Sequence, residues 1–125
     1  MKNSMLLAVL LALVSVVAAR PGTLATDLTG TWLFSVDLET GGHGDPTFVF
    51  KQDKDILTGT YDGPIGQYKI TGTVKDNKAV FGFEFTTEGV NNKAMYTGTI
   101  EEGSKMSGTM EITDGRKGKW TATRK

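Results

Sequence analysis

From Leu28 onward, apolar side chains recur at every second position, and this strict alternation leaves the chain few folds to choose from. A period of two is the mark of strands with one buried face. Between Leu28 and Glu39, the residues Leu28, Gly30, Trp32, Phe34, Val36 and Leu38 share one face. Thr29, Thr31, Leu33, Ser35, Asp37 and Glu39 share the other. The pattern turns Phe48 and Phe50 inward, then Leu57, Gly59 and Tyr61, then Tyr68, Ile70, Gly72 and Val74. It continues through Phe81, Phe83 and Phe85, through Tyr96, Gly98 and Ile100, and through Met106, Gly108, Met110 and Ile112. Trp120 and Ala122 close the series, which makes eight strands and no helical stretch.

Turn residues separate these segments. Asp53–Lys54–Asp55, Lys75–Asp76–Asn77–Lys78 and Glu102–Gly103–Ser104 read as tight hairpin links. The alternate links read as longer: Thr40 to Asp45, Gly63 to Gly66, Glu88 to Asn92 and Asp114 to Lys117. In a meander, alternate links fall on opposite ends, so one end should carry tight turns and the other looser loops. Eight sequential strands with one apolar face favour closure, which removes exposed edges. The expected fold is all-β, an eight-stranded antiparallel up-and-down β-barrel; a two-sheet sandwich is the alternative.

A short motif recurs five times: apolar, Thr or Ser, Gly, Thr, apolar. It begins at Leu28, Leu57, Ile70, Tyr96 and Met106, and places Gly30, Gly59, Gly72, Gly98 and Gly108 on the inward face. Glycine inside a strand marks a bend or a close backbone approach. Barrel closure and packing explain such a belt better than a ligand cavity carved by missing side chains. The flanking threonines point outward, where cross-strand pairs stabilise a sheet. A binding array for ice or a polysaccharide would need a flatter surface.

Lys2 is followed by the apolar run Met5 to Ala19, which ends in Val17–Ala18–Ala19 with small residues at the last and third-last positions. This reads as a signal peptide over residues 1–19, with an N-terminal linker at 20–27 and the barrel domain at 28–125. The run is short for a membrane span of about 20 residues. Export implies a secreted or periplasmic location and no membrane span after cleavage. The chain of 125 residues has no cysteine, which excludes disulfides, zinc–thiolate sites and thiol nucleophiles. A secreted domain without disulfides points to a bacterial source. A formal net charge of zero gives no basic field for nucleic acid.

A search for reactive groups finds no catalytic constellation. His43 is the sole histidine and falls in a Gly-rich loop beside Asp45, without the convergent partners of a metal or acid–base site. Glu84, Glu101, Glu102 and Glu111 alternate outward, and Asp53 and Asp55 flank a turn with too few oxygens for calcium. No serine sits in a nucleophile elbow. The expectation is a non-enzymatic protein with no cofactor and no metal.

Gly30–Thr31–Trp32 opening the first strand and Trp120 to Arg124 closing the last resemble the calycin superfamily, which includes lipocalins, fatty-acid-binding proteins and avidins. The resemblance spans roughly Leu28 to Arg124 and extends to small exported bacterial barrels of unassigned function. It implies that Trp32 packs under the barrel floor with Arg124 across it, both in structural roles. Leu57 to Tyr61 looks like the avidin strand whose tyrosine meets the biotin ureido oxygen. The avidin Asn and Ser positions fall here on Phe34 and Leu38, and the terminal strand with its pocket aspartate is missing. A buried ureido group would lose most of its hydrogen bonds, so biotin is not the expected ligand.

An eight-stranded barrel is just wide enough to be filled or to hold one small ligand. The aromatic count suggests an interior that is largely filled. Tyr61, Tyr68 and Phe85 are expected toward the looser end, with Phe83 deeper, as the ligand-binding residues. Two functions follow. The first is binding of a small apolar or aromatic ligand through these rings. The second is a protein-interaction or inhibitor module for an envelope or extracellular protein, with a solid core and an interface around His43, Pro64, Ile65 and Asn91.

Overall fold

The computed structural model describes residues 27–102 and 104–125; the segment expected to be a signal peptide, and all of the expected linker but Asp27, lie outside the described residues. The elements are β1 (Gly30–Leu38), β2 (Gly42–Gly44), β3 (Thr47–Asp53), β4 (Ile56–Gly63) and β5 (Gly66–Lys75). They continue with β6 (Lys78–Thr87), β7 (Val90–Glu101), β8 (Lys105–Ile112) and β9 (Lys117–Arg124), with no helix among the described residues. From β3 to β9 each strand pairs antiparallel with the next. β9 then returns to β1, from Gly118 opposite Leu38 to Arg124 opposite Trp32. That ladder closes the sheet, so the chain is a barrel and not a sandwich.

β2 and β3 together form the second stave. The lower half of β1 pairs with β3, from Gly30 opposite Phe50 to Leu33 opposite Thr47. The upper half pairs with β2, from Val36 opposite Gly44 to Leu38 opposite Gly42. The break falls at Pro46, which has no N–H to give to a ladder. Its carbonyl still accepts from the Phe34 N–H at 3.0 Å, so the two halves stay in line. The barrel therefore has eight staves, as the alternation implies, with the second in two pieces.

The expected contrast between a tight end and a loose end is largely absent. Pro64–Ile65 and Glu88–Gly89 are two-residue turns, flanked directly by paired strands. Glu88 and Gly89 both have positive φ, the geometry that matches the twist of a two-residue hairpin. Asn91 and Asn92, expected in a loop, belong to β7. Asn92 is buried and accepts from the Thr113 hydroxyl at 3.2 Å, which explains how a polar side chain lies on an inward face. Only the stretch from Leu38 to Thr47 is long, and part of it is β2. His43 is accordingly a strand residue, not a loop residue.

The inward faces are those the alternation assigns. Phe34, Phe48, Phe50, Phe81, Tyr96 and Trp120 interlock in the lower half, with Phe34 stacked on Trp120 at 4.9 Å and Phe81 on Tyr96 at 5.3 Å. The glycine belt is a packing device. Gly98 faces Gly108, and the Trp120 ring lies across them. A Cβ on Gly98 would stand 2.5 Å from that ring, and one on Gly108 would overlap the Thr97 carbonyl. Glycine here lets neighbouring backbones and a large ring share one layer.

At the floor, Trp32 is fully buried and donates from Nε1 to the Leu28 carbonyl at 2.9 Å. The Arg124 guanidinium lies 4.7 Å from the Trp32 ring centre. It donates to the Thr29 and Asp27 carbonyls, each at 2.8 Å.

At the opposite end the wall is not continuous. β5 and β6 pair only from Lys75 opposite Lys78 to Thr71 opposite Gly82. Above that point Gly66–Ile70 of β5 and Phe83–Thr87 of β6 keep their outer partners and form no ladder with each other among the described residues.

Candidate functional site: a cavity at the barrel mouth

The second stave explains why the upper half is not filled. In its lower half Phe48 and Phe50 project inward and occupy the centre. In its upper half the inward positions are Gly42 and Gly44, which bring no side chains, while His43 points out. Across the barrel, Ala94 is the inward residue of β7 at the same end. These three small residues leave a cavity of about 280 Å³. That is near the lower bound of small-molecule sites, roughly 300–1,000 Å³. The expected filled interior therefore holds for the lower half of the barrel only.

The cavity wall is apolar and aromatic. Val36 and Leu38 come from β1, Tyr61 from β4, Phe83 and Phe85 from β6, Tyr96 from β7, and Met110 and Ile112 from β8. Pro64 and Ile65, at the β4–β5 turn, cover part of the rim. Pro64 reaches toward Gly44, where an added Cβ would stand 3.1 Å from its ring. Of the ring residues assigned from the sequence, Tyr61, Phe83 and Phe85 line the cavity together. Tyr68 does not line it. Its ring lies parallel to Phe83 at 5.3 Å, across the split between β5 and β6, and its hydroxyl donates to the Ile65 carbonyl at 2.8 Å. Tyr68 therefore backs the wall and holds the turn. The ladder ends before Tyr68 on that side, so alternation gives its face but not its neighbours.

Tyr96, Met110 and Ile112 are wall residues that alternation marks as inward without assigning them to a site. No local sequence signal separates them from core. Only the pairing of β7 with β8, Tyr96 opposite Met110 and Ala94 opposite Ile112, brings them to the cavity.

Polar groups sit at the rim. His43 Nδ1 lies 2.7 Å from an Asp37 oxygen, and Nε2 lies 3.0 Å from an Asp45 oxygen. These bonds, Asp37 first, raise the His43 pKa above its ordinary value. Arg116 donates from Nε to Asp114 at 2.8 Å, and this bond lowers the Asp114 pKa. Burial raises the Tyr61 pKa, against a smaller opposing effect of the Ile65 N–H. Burial likewise pushes the Tyr96 hydroxyl far above its usual range. Both phenols are therefore neutral donors at any ordinary pH. Among the described residues, no group of three His, Asp or Glu side chains could hold a metal ion.

No protein-family model matches this chain. No curated protein matches it either. Solved structures do. A redesigned β-barrel aligns with a TM-score of 0.67 at 20% identity, over 78% of this chain and 91% of the other. A second redesigned barrel, solved bound to DFHBI, aligns with a TM-score of 0.61 at 23% identity, over 78% and 94%. A de novo designed fluorescence-activating barrel aligns with a TM-score of 0.61 at 13% identity, over 78% and 93%. At such identities the likeness is one of fold: a closed, eight-stranded antiparallel barrel without helices.

Proposed function

We propose that this protein is an exported, non-enzymatic, calycin-like barrel that binds a small apolar or aromatic ligand in the mouth cavity. The observation that carries the reading is the wall itself. Tyr61, Phe83 and Phe85 surround a space that the glycines of β2 leave open in an otherwise packed interior. Flat apolar molecules gain most from such a wall, because ring faces stack and little polar surface must be desolvated. The structural neighbours support it by analogy: two redesigned β-barrels of this fold are solved bound to DFHBI, a small aromatic molecule. Trp32 with Arg124 at the floor supports the calycin likeness, and the Met5 to Ala19 run supports export to the periplasm or beyond.

The test is native mass spectrometry of protein purified gently from its own host. An added mass that leaves on denaturation is the expected result and gives the ligand's mass. A bare chain that also fails to quench its tryptophan fluorescence with any ligand class would end this reading. Phe83→Leu keeps most of the buried volume and removes the ring face. It should weaken binding by roughly two- to tenfold, the value of an aromatic contact of about 0.5–1.5 kcal/mol. The circular dichroism spectrum should be unchanged.

A further inference from the structure

Tyr96 is 3% exposed, on a wall of the mouth cavity. Its ring is stacked on Phe81 and meets Phe48 edge-on at 5.3 Å. Its hydroxyl has no hydrogen-bond partner among the described residues. Three other polar rings each have one. Trp32 donates to Leu28, Trp120 to Thr109, and Tyr68 to Ile65. A buried phenol normally finds a partner, and one left dry is destabilising. Packing alone would be served by phenylalanine, which fills the neighbouring positions 34, 48, 81 and 83. The hydroxyl therefore has its use in the cavity, where it is satisfied by whatever enters.

Position sets the geometry. β7 begins at the mouth with Val90 and descends past Ala94 to Tyr96, so Tyr96 lies at the inner end of the space. Tyr61, with its ring 4.3 Å from Phe83, stands nearer the rim. An entering molecule meets ring faces along its sides, with the Tyr61 phenol nearer the rim and that of Tyr96 deeper. Since that phenol stays protonated, it donates.

We propose that Tyr96 is the buried polar anchor of this cavity, and that the ligand is a flat aromatic molecule whose leading end carries a hydrogen-bond acceptor such as a carbonyl oxygen. This rests on the cavity being a ligand site. Ligands of equal shape without the acceptor bind more weakly, because they leave the phenol unsatisfied.

Two probes of one shape test it: 2-acetylnaphthalene, with a ketone, and 2-isopropenylnaphthalene, with a methylene in place of the oxygen. Calorimetric titration of the wild-type protein should favour the ketone by roughly three- to tenfold, the value of one neutral hydrogen bond. Tyr96→Phe should bring the ketone down to the affinity of the alkene and leave the alkene unchanged. The same variant, free of ligand, should melt at a higher temperature than wild type, because it removes a desolvated hydroxyl. Equal affinities in the wild type, or a ketone preference that survives in Tyr96→Phe, would overturn the anchor while leaving the cavity as a binding site. A lower melting temperature would overturn it too, by showing that the hydroxyl serves the fold. If neither probe binds the wild type, the cavity reading fails and the anchor fails with it.

Discussion

His43 sits between two carboxylates, and a ring can donate to both only as the imidazolium. The folded protein therefore holds the proton more tightly than the unfolded chain, whose histidine titrates near 6.5. The sign follows from linkage. The stabilisation is fully present below about pH 6.5 and is lost as pH rises through the higher folded value. Proton NMR of the single histidine should give a midpoint above 6.5, and Asp37→Asn should lower it. A midpoint at or below 6.5 in the folded protein would show that the carboxylates do not hold the ring. Below that window, wild type should also melt higher than His43→Ala by a margin that shrinks as pH rises. The residue matters to the mouth because it ties the strand after Glu39 back onto Asp37, beside the opening. Both halves of this arrangement are polar and exposed, so its use is to fix geometry at the rim more than to add stability.

Two elements shape the mouth, and both do so by failing to complete a ladder. The second stave changes from Phe-bearing β3 to Gly-bearing β2 across Pro46, which exchanges filled space for empty space without opening the sheet on the β1 side. β5 and β6 part above Thr71 and Gly82, and the stacked rings of Tyr68 and Phe83 bridge the opening in place of backbone hydrogen bonds. Side-chain stacking resists opening less than a ladder does. In hydrogen exchange, the amides of Gly66–Ile70 and Phe83–Thr87 that do not bond to β4 or β7 should exchange roughly tenfold or more faster than those of Thr71–Lys75 and Lys78–Gly82. Equal protection along both strands would mean that the wall is closed in solution.

At the scale of the whole molecule, the barrel depends on joining its first strand to its last, 95 residues apart at the Thr29–Arg124 bond. Such closure is entropically demanding and is repaid only when the whole ladder forms. Arg124 serves as the clasp, since it binds two carbonyls before β1 and covers the Trp32 ring. Arg124→Ala should lower stability by about 1–3 kcal/mol, from charge-assisted hydrogen bonds and a partly exposed cation–π contact. Urea denaturation should show an earlier midpoint with an unchanged slope, because the folded surface is the same. A changed slope would mean that the barrel no longer closes. With no disulfide to help, this floor and the interlocked aromatic layer above it carry the fold.

Alternation over a long run was enough to specify the class of this protein. A period of two in eight successive segments assigns side chains to faces and gives an all-β meander, while closure into a barrel and not a sandwich was decided by the ladder from β9 back to β1. The glycine motif was equally legible, since a missing Cβ inside a strand has few physical uses. The candidate site was legible only in part. Tyr61, Phe83 and Phe85 could be assigned from face and chain direction, while Tyr68 could not be distinguished from them. Which inward residues meet an empty space depends on what the facing strands bring to the same level. The break at Pro46, the glycines of β2 opposite Ala94, and the parting of β5 from β6 are matters of register between strands. Alternation along a single strand gives no information about them. The phenol of Tyr96 shows the limit most clearly: in the sequence it is one more inward aromatic, and only the packed barrel leaves its hydroxyl without a partner.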